Sequence, residues 1–145
     1  MILFGWKKRT RLVALGCAQR PGFDYEETFS PTIRIETVRL LFSLCAEHKR
    51  KLEVYDVKTA FLHGALDEEI YMEMPDGFGN NSRQVCKLKR SIYGLKQANR
   101  CWNAYLTDTL LKFGLKLCTV DPCLFYVNEG KHFLYCGVHD CDKQL

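Results

Sequence analysis

The segment from Arg34 to Asp56 constrains the fold more tightly than any other. Val38, Leu41, Phe42 and Cys45 recur at the i, i+3, i+4, i+7 spacing of a helix face, which predicts a helix over Arg34 to His48. Glu36 stands near the positive end of its dipole, and His48, Lys49 and Arg50 near the negative end. The period then changes. Leu52 and Val54 alternate with Glu53 and Tyr55, which predicts a strand ending at Asp56. Thr59 to Leu62 starts a tight turn or short helix. A carboxylate at a strand end, on the rim of a sheet, is placed to hold a metal ion or a charged ligand. It can equally be an edge Asp that caps the next turn.

The same change of period recurs downstream. Ile70, Met72 and Met74 alternate with Tyr71 and Glu73, and Val85 to Leu88 is a second short strand. The loop Pro75 to Ser82, rich in Gly and Asn, joins them into a hairpin beside the Asp56 turn. Ala98 to Phe113 is the longest helix. Its stripe of Trp102, Tyr105, Leu106, Leu110 and Phe113 reads as a core face rather than a stacking platform, and Gly114 stops it. Cys123 to Val127 and His132 to Val138 are strands around the turn Asn128 to Lys131. Interleaved helices and hairpins define an α+β class. The 145 residues suffice for one domain with a core, and 47% hydrophobic against 26% charged residues excludes a disordered chain. No run reaches transmembrane length, and Met1 to Trp6 is too short for a signal-peptide core. The expectation is an intracellular protein, in cytoplasm or nucleus, neither secreted nor membrane-bound.

The net charge of +4 is compatible with a phosphate-bearing partner. Lys7, Lys8, Arg9 and Arg11 precede the apolar run Leu12 to Leu15, either as a solvated start to a strand or as cations that meet phosphates. Lys87, Lys89 and Arg90, with Tyr93 close by, suit a nucleic-acid path or a solvated basic face. Asp24 to Pro31 is acidic and polar, with Tyr25 and Phe29 able to pin it to the core. The eight cysteines show no two-residue spacing of a zinc ribbon or redox motif. They read as small buried hydrophobes in a reducing compartment. Cys136 and Cys141 with His132 and His139 form the one grouping from which a metal or redox module could be assembled.

Several longer motifs stand in order. They are Arg11-Leu12-Val13-Ala14, Asp24-Tyr25-Glu26-Glu27-Thr28-Phe29-Ser30-Pro31, Asp56-Val57-Lys58-Thr59-Ala60-Phe61-Leu62-His63-Gly64, Glu69-Ile70-Tyr71-Met72-Glu73, Pro75-Asp76-Gly77-Phe78 and Ser91-Ile92-Tyr93-Gly94-Leu95-Lys96-Gln97-Ala98. Together, from about Arg9 to about Asp140, the chain resembles the reverse transcriptase domain of Ty1/copia-type LTR retrotransposon Pol polyproteins. The resemblance implies fingers and palm, an antiparallel sheet with packed helices. It places residues 1–145 in a single partial domain, truncated before the thumb. It implies RNA-directed DNA polymerase (nucleotidyltransferase) activity, a magnesium cofactor, an RNA template, a DNA primer and a deoxynucleoside triphosphate as partners, and the rest of a Pol polyprotein.

It also assigns residues. Asp56 and Asp140 would be catalytic and hold metal. Phe61 would stack under the nucleotide sugar, and Gly94, Lys96 and Gln97 would line the nucleotide and template side. Lys7, Lys8, Arg9, Arg11, Lys87, Lys89 and Arg90 would contact nucleic acid. The chain departs from the family pattern where two adjacent carboxylates follow Tyr-Val. Here the residues are Gly137-Val138-His139-Asp140, so His139 replaces the first carboxylate. Leu15 also stands where the family usually has Lys. Imidazole is a softer ligand than carboxylate and poorly matched to magnesium. The expectation is therefore a polymerase fragment that has lost its activity. The alternative is a non-catalytic nucleic-acid-binding remnant that keeps only the basic groove.

Overall fold

The computed structural model describes residues 11–75, 77–78, 84–130 and 132–139. Two helices, α1 (Ile35–Glu47) and α2 (Ala98–Lys112), combine with two antiparallel sheets. The first sheet pairs β1 (Tyr71–Glu73) with β2 (Val85–Lys87), Met72 opposite Cys86. The second has the order β3-β4-β5, with β3 at Lys116–Leu117, β4 at Leu124–Glu129 and β5 at His132–Gly137. Two 3-10 turns, Gly16–Ala18 and Ala60–His63, complete the regular structure. This mixture is that of the α+β class.

The start of α1 is built from the far end of the chain. Its N-cap, Arg34, is extended and supplies no side-chain cap. Asp121 does so instead. One carboxylate oxygen accepts from the Arg34 amide at 3.0 Å and from the Thr37 hydroxyl at 2.6 Å, and the other accepts from the Cys123 amide at 2.9 Å. The side chain is 1% exposed and faces the positive end of the helix dipole. Burial alone would raise its pKa. The bonds from Thr37, Arg34 and Cys123, with the charge of Arg34, outweigh burial and hold it below the ordinary aspartate value.

Both helices close in the same way. At α2, Gly114 has φ +87°. The Leu115 amide reaches the Leu110 carbonyl at 3.1 Å, and the Gly114 amide reaches Leu111 at 2.9 Å, the double bond of a Schellman closure. At α1 the residue in that position is Lys49, with φ +49°, and the Arg50 amide reaches Cys45 at 2.8 Å. A side chain in left-handed backbone carries a steric cost that glycine avoids.

The core lies in two parts. Ile70, Ile92, Leu95 and Ala98 are buried together, with Ala14, Phe61, Leu66, Met72 and Leu88 against them. Ile33, Cys101, Cys123 and Phe125 are buried as well, and Gly137 of β5 lies close to Ile33 and to Leu41 of α1.

Several sequence expectations require correction. Residues 51–57 form no strand. The Lys51 ammonium and the Tyr55 hydroxyl both engage the Glu53 carboxylate, so one side of the segment is a local polar ladder. On the other side Leu52 and Val54 are 51% and 89% exposed, and nothing buried fixes a register. Leu12 to Leu15 likewise forms no strand, although the Ala14 amide bonds the Tyr93 carbonyl. The expected apolar face of α1 is only half-buried at Val38, Leu41 and Cys45, and Phe42 is exposed. On α2, Phe113 and Tyr105 are exposed, and the buried positions are Ala98 and Cys101. Phe29, expected to pin the acidic segment to the core, is 72% exposed. The cysteines are not uniformly buried, since Cys17 is exposed and four of the described ones are half-buried.

Asp121→Ala should lower stability by about 3 kcal/mol in urea denaturation, because hydrogen bonds to a buried charged group are worth about 1.5–3 kcal/mol each and the donors are left unpaired. The sign of the pH effect follows from the lowered pKa. The stability Asp121 adds is complete above about pH 4, its unfolded value, and is lost as pH falls through the lower folded value. Asp121→Asn should flatten that acid limb. Lys49→Gly should raise stability by about 0.5–1 kcal/mol through relief of left-handed strain.

Candidate nucleotide and nucleic-acid site

The site begins with a close crossing of two backbones. The Ala14 amide donates to the Tyr93 carbonyl at 2.8 Å. A β-carbon on Gly94 would lie 2.2 Å from the Ala14 carbonyl oxygen, and one on Gly16 would lie 2.1 Å from the Gly94 carbonyl oxygen. Gly94 also has φ +95°. Only glycine fits either position. A third glycine, Gly64, brings the 3-10 turn Ala60–His63 onto α2, since a β-carbon there would come within 2.9 Å of the Cys101 backbone.

These contacts shape an open recess of about 220 Å³, lined by Phe61, Tyr93, Gly94, Lys96, Ala98 and Asn99 among others. Phe61 and Tyr93 face each other with ring centroids 5.9 Å apart at 45°. Three of the four residues expected to line a nucleotide pocket, Phe61, Gly94 and Lys96, therefore meet here. The Lys96 ammonium donates to the Tyr25 hydroxyl at 3.1 Å and sits 5.0 Å from the centre of that ring.

Gln97, the fourth, lies beneath. It is 0% exposed. Its amide nitrogen donates to the Asp24 carbonyl at 2.9 Å and to a Glu68 carboxylate oxygen at 3.4 Å, and its oxygen accepts from Gln19 at 3.0 Å. Gln19 in turn accepts from the Lys96 amide at 2.8 Å. No periodicity marks Gln19. Its only sequence signal is its position three residues after Gly16, in a loop. A second recess of about 290 Å³ is lined by Glu26, Glu27, Asp67, Glu68 and Arg100. Four carboxylates against one guanidinium make it a poor host for a polyphosphate.

Asp56 is exposed, five positions before Phe61, on a segment that turns at Thr59 with φ +55°. Asp140 lies outside the described residues. His139 is exposed, just past β5, where the Val138 amide bonds the Cys123 carbonyl at 2.8 Å. Among the described residues no group of three or more His, Cys, Asp or Glu side chains could hold a metal ion. Cys141, the fourth member of the expected cysteine and histidine grouping, lies outside the described residues. Burial pushes the Cys101 and Cys136 thiols up, away from reactive thiolate character.

The expected basic contacts divide. Lys7, Lys8 and Arg9 lie outside the described residues, and Arg11 and Lys89 are exposed. Lys87 is held by the Glu69 carboxylate, which raises its pKa, and lies 5.7 Å from the Tyr71 ring. Arg90 donates to the His63 carbonyl at 3.1 Å, beside the ring cluster of His63, Trp102 and Tyr105.

The family described as reverse transcriptase (RNA-dependent DNA polymerase) matches residues 3–143. The chain belongs to that family. It is 41% identical over 133 residues to the retrovirus-related Pol polyprotein from transposon RE1 of Arabidopsis thaliana, covering 90% of this chain and 9% of the relative. It is 46% identical over 121 residues to that of transposon TNT 1-94 of Nicotiana tabacum, covering 81% and 9%. A transposon Ty1-H Gag-Pol polyprotein of Saccharomyces cerevisiae is 29% identical over 121 residues, covering 77% and 6%. The domain is thus the reverse transcriptase domain of a copia-type Pol polyprotein, and the chain spans about a tenth of the length of its first curated relatives. No solved structure matches it.

Gly94→Ala and Gly16→Ala should each destabilise the fold by about 3 kcal/mol or more, since the new β-carbon meets backbone rather than a movable side chain. Thermal melts of the two variants check this. Cys17, which is exposed, should alkylate much faster than Cys101 under native conditions, as read by mass spectrometry.

Proposed function

We propose that this chain carries the nucleotide- and template-contacting part of an RNA-directed DNA polymerase, with fingers and palm, and that it does not extend a primer by itself. The observation that carries the reading is the meeting of Phe61, Gly94 and Lys96 around one recess. Phe61 supplies a face for the sugar of a bound deoxynucleoside triphosphate. The Gly94 backbone allows close approach, and Lys96 supplies the cation that a polyphosphate requires. Gln97 acts from below by fixing the loop. Arg11, Lys89 and Arg90, with Lys7, Lys8 and Arg9, and with Lys87 where Glu69 releases it, would meet the phosphates of an RNA template and DNA primer. The rest of a Pol polyprotein would supply the remaining grip. The working place would be cytoplasm or nucleus. Among the described residues no helix is long and apolar enough to cross a membrane.

Reverse transcriptases use divalent metal, and magnesium would be held by Asp56 and Asp140. The donor set does not fit it. Magnesium requires hard oxygen ligands in near-octahedral array, and the chain offers the His139 imidazole where the family places a carboxylate. No catalytic step is therefore derived through the metal. The same substitution favours the second reading, a non-catalytic remnant that binds nucleic acid.

Primer extension by this chain should be lower than that of a carboxylate-complete relative by about a thousandfold or more, each ~1.4 kcal/mol of lost transition-state stabilisation being a factor of ten. His139→Asp should tighten magnesium binding, read by titration calorimetry. Extension by the unmodified chain with magnesium, abolished by Asp56→Asn, would sink the inactive reading. Binding to RNA·DNA should be independent of sequence. It should weaken with salt by roughly 0.9 log units per log unit for each phosphate neutralised. A flat salt profile would remove the basic surface from the function.

A further inference from the structure

Gln19 stands in no motif that suggests a role in chemistry, yet it joins two segments 77 positions apart. Its carbonyl oxygen accepts from the Lys96 amide at 2.8 Å, and its amide nitrogen donates to the Gln97 side-chain oxygen at 3.0 Å. Gln97 spends its own nitrogen on the Asp24 carbonyl and on Glu68. The loop from residues 19 to 25 thus grips the loop from 94 to 97 three times, through Gln19 to Lys96, Gln19 to Gln97 and Asp24 to Gln97. The Lys96 ammonium adds a fourth contact, to Tyr25. The backbone crossing at Gly16 and Gly94 lies at the start of both loops.

We infer that Gln19 is a positioning residue of the nucleotide recess, and that Gln19 and Tyr25 together set where the Lys96 cation stands. The inference rests on the reading of the recess as a deoxynucleoside triphosphate site. Its physical basis is the donor and acceptor balance. The Lys96 amide belongs to a loop residue outside any helix or strand ladder, so the Gln19 oxygen is what orders it. Gln97 is buried with both side-chain polar atoms engaged, so its side chain shifts only as Gln19, Asp24 or Glu68 releases it. Lys96 has a long flexible stem, and an ammonium bonded to the Tyr25 hydroxyl is pre-placed for a phosphate oxygen. Tyr25 gives that cation a neutral holder. A carboxylate there would form an ion pair that a nucleotide would have to break.

The test combines amide hydrogen exchange with binding of a fluorescent deoxynucleoside triphosphate to the full chain. Gln19→Ala should speed exchange in residues 93–97 at least tenfold, with α2 beyond its first turn unchanged, and should weaken nucleotide affinity about tenfold. Gln19→Glu keeps the acceptor for the Lys96 amide and should restore most of the protection at that amide. Tyr25→Phe keeps the ring and loses the hydroxyl. It should weaken affinity a few-fold with exchange in 93–97 unchanged. A uniform loss of protection through α2 in Gln19→Ala would mean that Gln19 merely holds the fold, and would overturn the inference. So would unchanged exchange together with unchanged affinity. If the wild-type chain takes up no nucleotide while Gln19→Ala still releases residues 93–97, the two-loop grip stands and the nucleotide reading of the recess fails.

Discussion

The Ala14 amide reaches the Tyr93 carbonyl across a gap that admits no β-carbon on Gly16 or Gly94. That contact brings the N-terminal segment onto the loop that precedes α2. Once the two backbones touch, Gln19 comes within reach of Lys96 and Gln97, Tyr25 within reach of the Lys96 ammonium, and Tyr93 opposite Phe61. The buried cluster of Ile70, Ile92, Leu95 and Ala98 lies under the same loop and supplies the apolar burial that holds it. The recess is therefore a consequence of backbone approach and hydrogen bonding between distant segments rather than of any one functional side chain.

A second long-range constraint governs the other half of the molecule. Asp121 anchors the start of α1 to the turn that begins β4. A carboxylate buried without partners would be neutralised, but here three donors and a helix dipole keep it charged. The two constraints act on different parts of the core. The side that shapes the recess can therefore be perturbed at Gln19 without touching the Asp121 cap. The departure at His139 is local in the same sense. It lies past β5, and the Asp121 cap and the glycine crossing are formed alongside it.

Much of this was legible in the sequence, for physical reasons that differ by element. The helix α1 was readable from its side-chain period and flanking charges, and α2 from its side-chain period and the stop at Gly114. The hairpins of β1–β2 and β4–β5 were readable from alternation and turn residues. The strand expected over Leu52 to Tyr55 shows the limit of alternation. Its pattern is satisfied by Lys51 and Tyr55 on Glu53, with no buried partner. The phosphate-facing role expected for Lys87 met the same limit, because a cation's availability depends on which carboxylate folds beside it. The recess residues were readable only through the family motifs. Gln19 and the capping role of Asp121 were not readable at all, because their partners lie 77 and 84 or more positions away and a hydrogen bond leaves no periodic trace.

The proposed seat of the nucleotide is the recess between Phe61 and Tyr93. The most direct measurement is photo-crosslinking of a 5-iododeoxyuridine triphosphate to the chain, followed by peptide mapping. Label should concentrate on the peptides that carry Phe61 and Tyr93 and be competed away by unlabelled triphosphate. Label spread evenly over exposed aromatic residues, or concentrated on the His63, Trp102 and Tyr105 cluster and indifferent to competitor, would contradict it.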